Sequence, residues 1–185
     1  MLSSYVVSRL MSVESLKAHI RTVPDFPVKG ILFWDVTTLF KDAACLKEVV
    51  DILYEMYKDK GITKVVGMET RGLVLAPALA IRLGAGLVMA RKPGKLPADT
   101  YSERYMKEYG PDTIEIHKDA ISPDDVVLIH DDLLATGGTV GAAARMMDKY
   151  FHPKQLMINF IIEIEELQGR KALPAGVDVQ SVIKV

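Results

Sequence analysis

VVLIHDDLLATGGTVGAAARMMDKY, residues 126–150, is the stretch that decides the fold. Its leading apolar residues, Val126 to Ile129, predict a short buried strand. Two adjacent carboxylates follow, Asp131 and Asp132, and then a small glycine-containing loop, Ala135 to Thr139. An Ala- and Met-rich run with helical character completes the stretch. Strand, acidic pair, small loop and helix in this order favour a site that holds a phosphorylated sugar.

The loop has the features of an anion site. Gly137 and Gly138 permit backbone angles closed to other residues, so successive N–H groups can converge on one point. Thr136 and Thr139 add hydroxyl donors, and the following helix directs its positive dipole end to the same place. Because the loop is short, a phosphate monoester fits it better than a diphosphate, and the chain contains no Walker A motif.

The acidic pair suits the sugar rather than the phosphate. Asp131 and Asp132 can accept hydrogen bonds from sugar hydroxyls or hold a divalent cation nearby. The alternative is that one carboxylate caps a turn while the other is solvated. The neighbouring strand and phosphate loop favour the sugar-binding interpretation. His130, which precedes the pair, is interpreted as a hydrogen-bonded core histidine.

Length and composition are those of an ordinary globular enzyme. The 185 residues predict one domain over residues 12–185, after a flexible extension over residues 1–11. A net charge of −1 argues against nucleic acid as the main partner, and no apolar run is long enough to predict a membrane span. The single cysteine, Cys45, rules out an intramolecular disulfide and favours a reducing, cytoplasmic compartment.

Predicted strands and helices alternate along most of the chain, which favours an α/β fold with an open, mainly parallel sheet flanked by helices. Besides 126–129, the predicted strands are 64–68, 86–91, 113–117, 155–164 and 177–185. Ligands bind beyond the carboxyl ends of such strands. The turn Glu69 to Gly72 and the loop after residue 130 both lie at such ends.

Two segments interrupt the alternation. Residues 12–40 predict a small N-terminal hood, with a helix that begins after Ser12 and a shaped loop with a short strand over Pro24 to Phe40. Asp42 is a predicted cap of the next helix. Residues 92–112 are polar and rich in proline and glycine, which predicts a mobile flap.

The segment DDLLATGGT resembles the phosphoribosyl diphosphate (PRPP) signature of the type I phosphoribosyltransferases. GKLP at 94–97 and PDFPVKGILFWD at 24–35 resemble the adenine-specific members of that family. The resemblance implies the type I phosphoribosyltransferase fold and a pentosyltransferase of purine salvage. Such an enzyme joins adenine to PRPP, releases AMP and diphosphate, requires Mg²⁺ and forms a homodimer.

The resemblance also implies roles for single residues. The 5′-phosphate would lie on Ala135, Thr136, Gly137, Gly138 and Thr139, and the ribose hydroxyls on Asp131 and Asp132. The diphosphate would contact Arg71, Arg91, Lys92, Lys95 and Tyr109. Adenine would contact Leu32, Phe33, Trp34 and Leu133, and Glu108 would be the general acid/base at the purine N7. No protein ligand is assigned to Mg²⁺, which PRPP and water would mainly hold.

Some residues depart from the family pattern, and two other functions remain as alternatives. Trp34 stands where many relatives carry arginine, and His130 stands where an aliphatic residue is usual. One alternative is transfer to another purine base, although no pocket lysine is evident beside Leu133. The other is a PRPP-binding regulator without catalysis, although residues 1–30 contain no basic DNA-binding module.

Overall fold

The structure, a computed structural model, describes residues 13–107 and 110–185. The predicted extension over residues 1–11, the Ser12 cap, Glu108 and Tyr109 lie outside the described residues. Contacts within the chain define two compact units, Met1–Ile52 and Leu53–Val185. The single domain, the hood and the mobility of the flap stay predictions.

The first unit contains a short antiparallel hairpin between helices. Its elements are α1 (Val13–His19), β1 (Arg21–Pro24), β2 (Leu32–Asp35), α2 (Thr37–Phe40) and the beginning of α3 (Ala43–Tyr57). The predicted cap is confirmed, because the backbone N–H of Cys45 donates to Asp42 Oδ1 at 2.8 Å. The predicted loop over residues 24–40 contains more regular structure than expected, because β1 pairs with β2 and a helical turn follows.

The second unit is organised around a parallel sheet of five strands in the order β4-β3-β7-β8-β9. Its elements are β3 (Lys64–Met68), α4 (Gly72–Leu83), β4 (Gly86–Ala90), β5 (Thr100–Lys107), β6 (Gly110–His117), β7 (Val126–Leu134), α5 (Gly138–Met146), a π-helical turn (Met147–Phe151), β8 (Gln155–Glu163), 3-10 turns (Glu165–Leu167 and Gly169–Ala172) and β9 (Asp178–Lys184). The predicted open parallel sheet is confirmed, with the last strand at an edge. Of the helices in the two described ranges, none is both long and apolar enough to cross a membrane.

The core of this unit lies where α5 and the hairpin of β5 and β6 pack against the sheet. The alternate residues Val127 and Ile129 of β7 are fully buried in it, together with Ile158 and Phe160 of β8. Both strands are largely buried on both faces, as expected of central strands in a parallel sheet. The packing therefore fixes the position of the carboxyl end of β7.

One predicted boundary was wrong, and the segment predicted as a flap has regular structure. The strand predicted over 126–129 continues to Leu134, because its pairing with β8 extends to the register Leu134 opposite Glu163. The acidic pair therefore lies inside the strand. Much of the segment predicted as a flap forms an antiparallel ribbon, in which Thr100 pairs with His117 and Lys107 with Gly110.

Candidate active site

The acidic pair lies near the carboxyl end of the central strand β7, and its two side chains differ in environment. Asp132 is buried, and its Oδ2 lies 2.7 Å from Nε of Arg71. Asp131 is half-buried, and its Oδ1 accepts the backbone N–H of Asp132 at 2.9 Å. Burial and the Asp132 carboxylate raise the pKa of Asp131 well above its ordinary value. Burial also raises the pKa of Asp132, although the Arg71 guanidinium opposes it.

The turn between β3 and α4 lies against this strand end. A Cβ atom added at Gly72 would come within 2.7 Å of the His130 carbonyl oxygen and 2.9 Å of Asp131 Oδ1. Glycine therefore allows the turn to approach the acidic pair at a distance that alanine does not. The same turn carries Arg71, and the peptide bond between Glu69 and Thr70 is cis.

Arg91 and Lys92, two of the residues predicted to bind diphosphate, lie beside the same turn and pair with carboxylates. Arg91 Nε and the backbone N–H of Lys92 each donate to Glu69 Oε2 at 2.8 Å. Lys92 Nζ lies 2.8 Å from Tyr105 Oη and forms an ion pair with Asp112. The hydrogen bonds from Arg91 and Lys92 lower the pKa of Glu69. Sequence reasoning missed Glu69 as a partner, although its place in the turn was a usable signal.

Lys95 is exposed and follows in the chain. It lies close enough to Glu69 to contribute to the lowered pKa of that carboxyl. Arg71, Arg91, Lys92 and Lys95 are thus all near the carboxyl ends of β3 and β4. The turn therefore gathers positive charge next to the acidic pair.

The loop predicted to bind phosphate encloses a small cavity of about 80 Å³. Asp131, Leu133 and all five loop residues line it, Ala135 to Thr139. Gly137 has φ of 77°, and α5 begins directly after it. The N–H groups of the first helical turn have no intrahelical acceptor and carry partial positive charge, so the cavity suits an anion. A larger cavity, of about 660 Å³, lies at the other end of α5 and includes none of these residues.

The segment around Gly169, to which the sequence assigned no role, packs against the phosphate loop. The backbone of Gly169 packs against Ala135 and Gly137 so closely that a Cβ on Gly137 or Gly169 would overlap a carbonyl oxygen. The only signal in the sequence was a single glycine between Gln168 and Arg170, and a glycine in a loop has many possible causes. This contact between backbones required the structure.

The predicted adenine residues are described within their own units. In the first unit Leu32 is 48% exposed, while Phe33 and Trp34 are half-buried. The Phe33 ring meets the Phe26 ring edge to face, with centroids 5.1 Å apart. In the second unit Leu133 is half-buried and lines the small cavity.

His130 is buried in the sheet, as predicted for a core histidine. Its Nδ1 lies 2.8 Å from Oδ1 of Asn159, the residue opposite it on β8. Burial lowers the pKa of His130 to about 4, so the ring is neutral at physiological pH. Its Nε2 has no hydrogen-bond partner among the residues that the structure describes.

No group of three or more His, Cys, Asp or Glu side chains able to hold a metal ion occurs within residues 13–107 and 110–185. The two carboxylates of the acidic pair are too few to form a complete Mg²⁺ site, which takes six oxygen ligands. A magnesium ion at this site would therefore have to bring most of its ligands from a phosphorylated substrate and water.

Comparison with known proteins agrees with this geometry. Residues 35–172 match the phosphoribosyl transferase domain. The adenine phosphoribosyltransferase of Phocaeicola vulgatus is 62% identical over 173 residues, which cover 94% of this chain and 99% of that protein.

Two solved structures have the same fold. The adenine phosphoribosyltransferase of Rhodothermus marinus superposes with a TM-score of 0.86 at 48% identity, covering 94% of this chain and 98% of the other. The Giardia lamblia enzyme, crystallised with 9-deazaadenine, gives 0.89 at 43% identity, covering 95% and 98%. The chain therefore belongs to the phosphoribosyl transferase family, among its adenine phosphoribosyltransferases.

Proposed function

We propose that this chain transfers the phosphoribosyl group of PRPP to adenine, giving AMP and diphosphate. The observation that carries the proposal is the geometry at the end of β7. There an acidic pair, a glycine loop at a helix N-terminus and a basic turn lie next to one another. PRPP carries a 5′-phosphate, sugar hydroxyls and a diphosphate. These groups match the glycine loop, the acidic pair and the basic turn, respectively.

In this proposal the loop Ala135 to Thr139 binds the 5′-phosphate through backbone N–H groups and two threonine hydroxyls. The carboxylates of Asp131 and Asp132 accept hydrogen bonds from the ribose hydroxyls. The cavity lined by Asp131 and the loop supports this assignment, because it joins an anion site to a sugar-binding carboxylate. Arg71 pairs with Asp132 and so lies where a diphosphate on the ribose C1 would extend.

The chemical step depends on charge. As diphosphate leaves C1, the ribose ring gains oxocarbenium character, as in glycoside hydrolysis. Arg71, Arg91, Lys92 and Lys95 would stabilise the leaving diphosphate, and Tyr109 is the further candidate there. Mg²⁺, bound through PRPP and water, would neutralise part of the charge on the leaving diphosphate.

Adenine is the base we propose, on the strength of relatives with that specificity. By the family resemblance, Phe33 would stack on the purine, and Leu32, Trp34 and Leu133 are each proposed to contact the base. Glu108 is proposed as the general acid/base at the purine N7. A free carboxylate is ionised at neutral pH, so this role requires either that closure of the site raises its pKa or that the base brings the proton.

We also propose that the enzyme is a homodimer. Several large apolar side chains are exposed on α4 and the adjacent edge strand β4. They are Val74 (48%), Ile81 (80%), Leu87 (42%) and Met89 (42%). Exposed apolar side chains grouped on neighbouring elements are typical of a protein–protein interface. Both elements meet the turn that carries Arg71, so a partner on this surface would lie beside the proposed diphosphate site. Sedimentation would give the mass of a dimer.

A cytoplasmic location is proposed as well. Cys45 is a free, buried thiol, which fits a reducing compartment. The proposal for location is independent of the proposal for the reaction.

The deciding experiment offers the purified protein PRPP and Mg²⁺ with adenine, hypoxanthine, guanine, xanthine or uracil in turn. We expect AMP from adenine and little product from the other bases. If more product forms from hypoxanthine or guanine than from adenine, the enzyme acts on that purine instead. PRPP binding without product from any base would favour the regulator.

A further inference from the structure

The segment after β8 packs directly on the back of the phosphate loop. A Cβ on Gly169 would overlap the carbonyl oxygen of Ala135, and one on Gly137 would overlap the carbonyl oxygen of Gly169. One turn into α5, a Cβ on Gly141 would lie 2.5 Å from the carbonyl oxygen of Ala172. Three glycines thus allow two stretches of backbone to meet without intervening side chains.

A buried carboxylate anchors this segment to the sheet. Arg170 donates from Nε to Glu163 Oε1 at 2.6 Å and from Nη2 to Oε2 at 2.7 Å. Its Nη1 donates to the carbonyl oxygen of Val179 on β9 at 3.0 Å. Glu163 is 5% exposed and also accepts the Ser181 hydroxyl at 2.7 Å. A bidentate pair of this kind restrains both position and orientation.

These contacts connect the sheet to the phosphate loop through two adjacent residues. The last residue of β8 and the second residue of β9 hold Arg170, and its neighbour Gly169 packs against Ala135 and Gly137. The loop itself contains only small residues, so its own side chains offer little packing to fix its shape. The contact with the Gly169 backbone therefore largely determines the position of the N–H groups of the loop.

We propose that Arg170 is a positioning residue for the 5′-phosphate: through Gly169 it holds the loop in the shape that directs its N–H groups at the anion. The proposal rests on the proposed function, because it assumes that the loop binds the phosphate of PRPP. Arg170 does not itself line the small cavity. Its effect is on binding geometry and not on the reacting atoms.

The test compares two variants with a neighbouring control. Arg170→Met removes the anchor and keeps much of the aliphatic length, while Gly169→Ala pushes a methyl group into the loop. Lys171→Ala is the control, because it removes an exposed positive charge from the same turn, where the lysine side chain hydrogen-bonds to Gln168. Arg170→Met leaves the buried Glu163 carboxylate without its guanidinium partner, so the double variant with Glu163→Gln separates loss of the anchor from burial of a charge.

The readouts are binding of ribose 5-phosphate, binding of magnesium diphosphate and the KM for PRPP. We expect both variants, and the double variant, to bind ribose 5-phosphate about tenfold or more weakly, the value of roughly one charge-assisted hydrogen bond. The KM for PRPP should rise by a similar factor, while diphosphate binding and kcat change little. Arg170→Lys should recover part of the loss, and Lys171→Ala should resemble wild type.

Three outcomes would overturn the positioning role. One is unchanged ribose 5-phosphate affinity in folded Arg170→Met and Gly169→Ala. The second is an equal loss of diphosphate affinity, which would indicate general damage to the site. The third is an equal effect of Lys171→Ala, which would indicate long-range attraction. Failure of the proposed function has a different signature, because it shows in the wild-type protein: either no AMP forms from adenine and PRPP, or neither ribose 5-phosphate nor PRPP binds.

Discussion

Replacing each member of the acidic pair by asparagine should separate the stability of this site from its function. Both Asp131→Asn and Asp132→Asn should abolish PRPP-dependent formation of AMP, since each removes a proposed acceptor of a ribose hydroxyl. Their effects on the ligand-free fold should differ. Asp131 faces the adjacent carboxylate, whereas Asp132 has the Arg71 guanidinium 2.7 Å away.

The difference follows from the partners. Burial and the neighbouring carboxylate raise the pKa of Asp131, so its ionised form destabilises the fold at neutral pH. Asparagine removes that charge and should stabilise the protein by about 1 kcal/mol or more. Asp132→Asn should gain less stability, because it loses the charged hydrogen bond to Arg71. Such a bond contributes about 1.5–3 kcal/mol. The two variants should therefore differ by about 2 kcal/mol, which is roughly 4–8 °C in Tm for a chain of this size.

The assay is thermal unfolding without ligands at pH 8 and again at pH 5, beside the coupled assay for AMP. The pKa of Asp131 is higher in the folded protein than in the unfolded chain. Its destabilising effect is therefore absent below the unfolded-state pKa and is complete once the pH has risen through the folded-state pKa. The gain from Asp131→Asn should accordingly be larger at pH 8 and shrink on acidification. An Asp131→Asn protein that melts below both wild type and Asp132→Asn at pH 8 would refute this reasoning. Undiminished AMP formation by either variant would refute its role in ribose binding.

Three further predictions concern neighbouring residues. Gly72→Ala should lower kcat/KM about tenfold or more, because its methyl group would press on the strand end at 2.7 Å. Gly86→Ala is the control, because its methyl group would meet the flexible Lys64 side chain at 3.3 Å and the Thr63 carbonyl oxygen at an ordinary 3.7 Å; equal effects would exclude the steric explanation. The folded pKa of His130 is about 4 against an ordinary 6.5, so this ring alone should cost about 3 kcal/mol of the free energy of unfolding as pH falls from 6.5 to 4. His130→Gln should lose less over that range, and an identical slope would contradict the burial of a neutral ring. Glu108→Ala should lower kcat more than it raises the KM for PRPP, and the reverse result would remove its acid/base role.

Sequence patterns predicted what depends on local chemistry. The strands at 64–68 and 177–185, the cap at Asp42 and the order of strand, loop and helix after residue 126 follow from periodicity and capping, and the structure confirms them. The end of β7 was predicted five residues too early, because Asp131 and Asp132 are unusual in a buried strand. Pairing with β8 outweighs that low propensity.

Long-range pairing accounts for the residues that were missed. Glu69 and Arg91 lie 22 positions apart, and Gly169 lies far along the chain from Ala135. A carboxylate in a turn or a glycine in a loop has many possible causes in one sequence. Only the juxtaposition of the two segments shows that one supports the other.

The two halves of the proposed site have opposite electrostatic preferences in the absence of substrate. The glycine loop and the N-terminus of α5 favour a negative charge, while the adjacent Asp131 carboxylate resists ionisation because of its burial and its neighbour. A bare phosphate satisfies the loop but brings a further anion towards the carboxylates. In the proposed binding mode a ribose 5-phosphate would satisfy both, because its hydroxyls would donate to the carboxylates while its phosphate accepts from the loop. We therefore expect the proposed site to select a phosphorylated sugar over a simple anion, which would give a destabilising carboxylate near the end of this largely apolar strand a function.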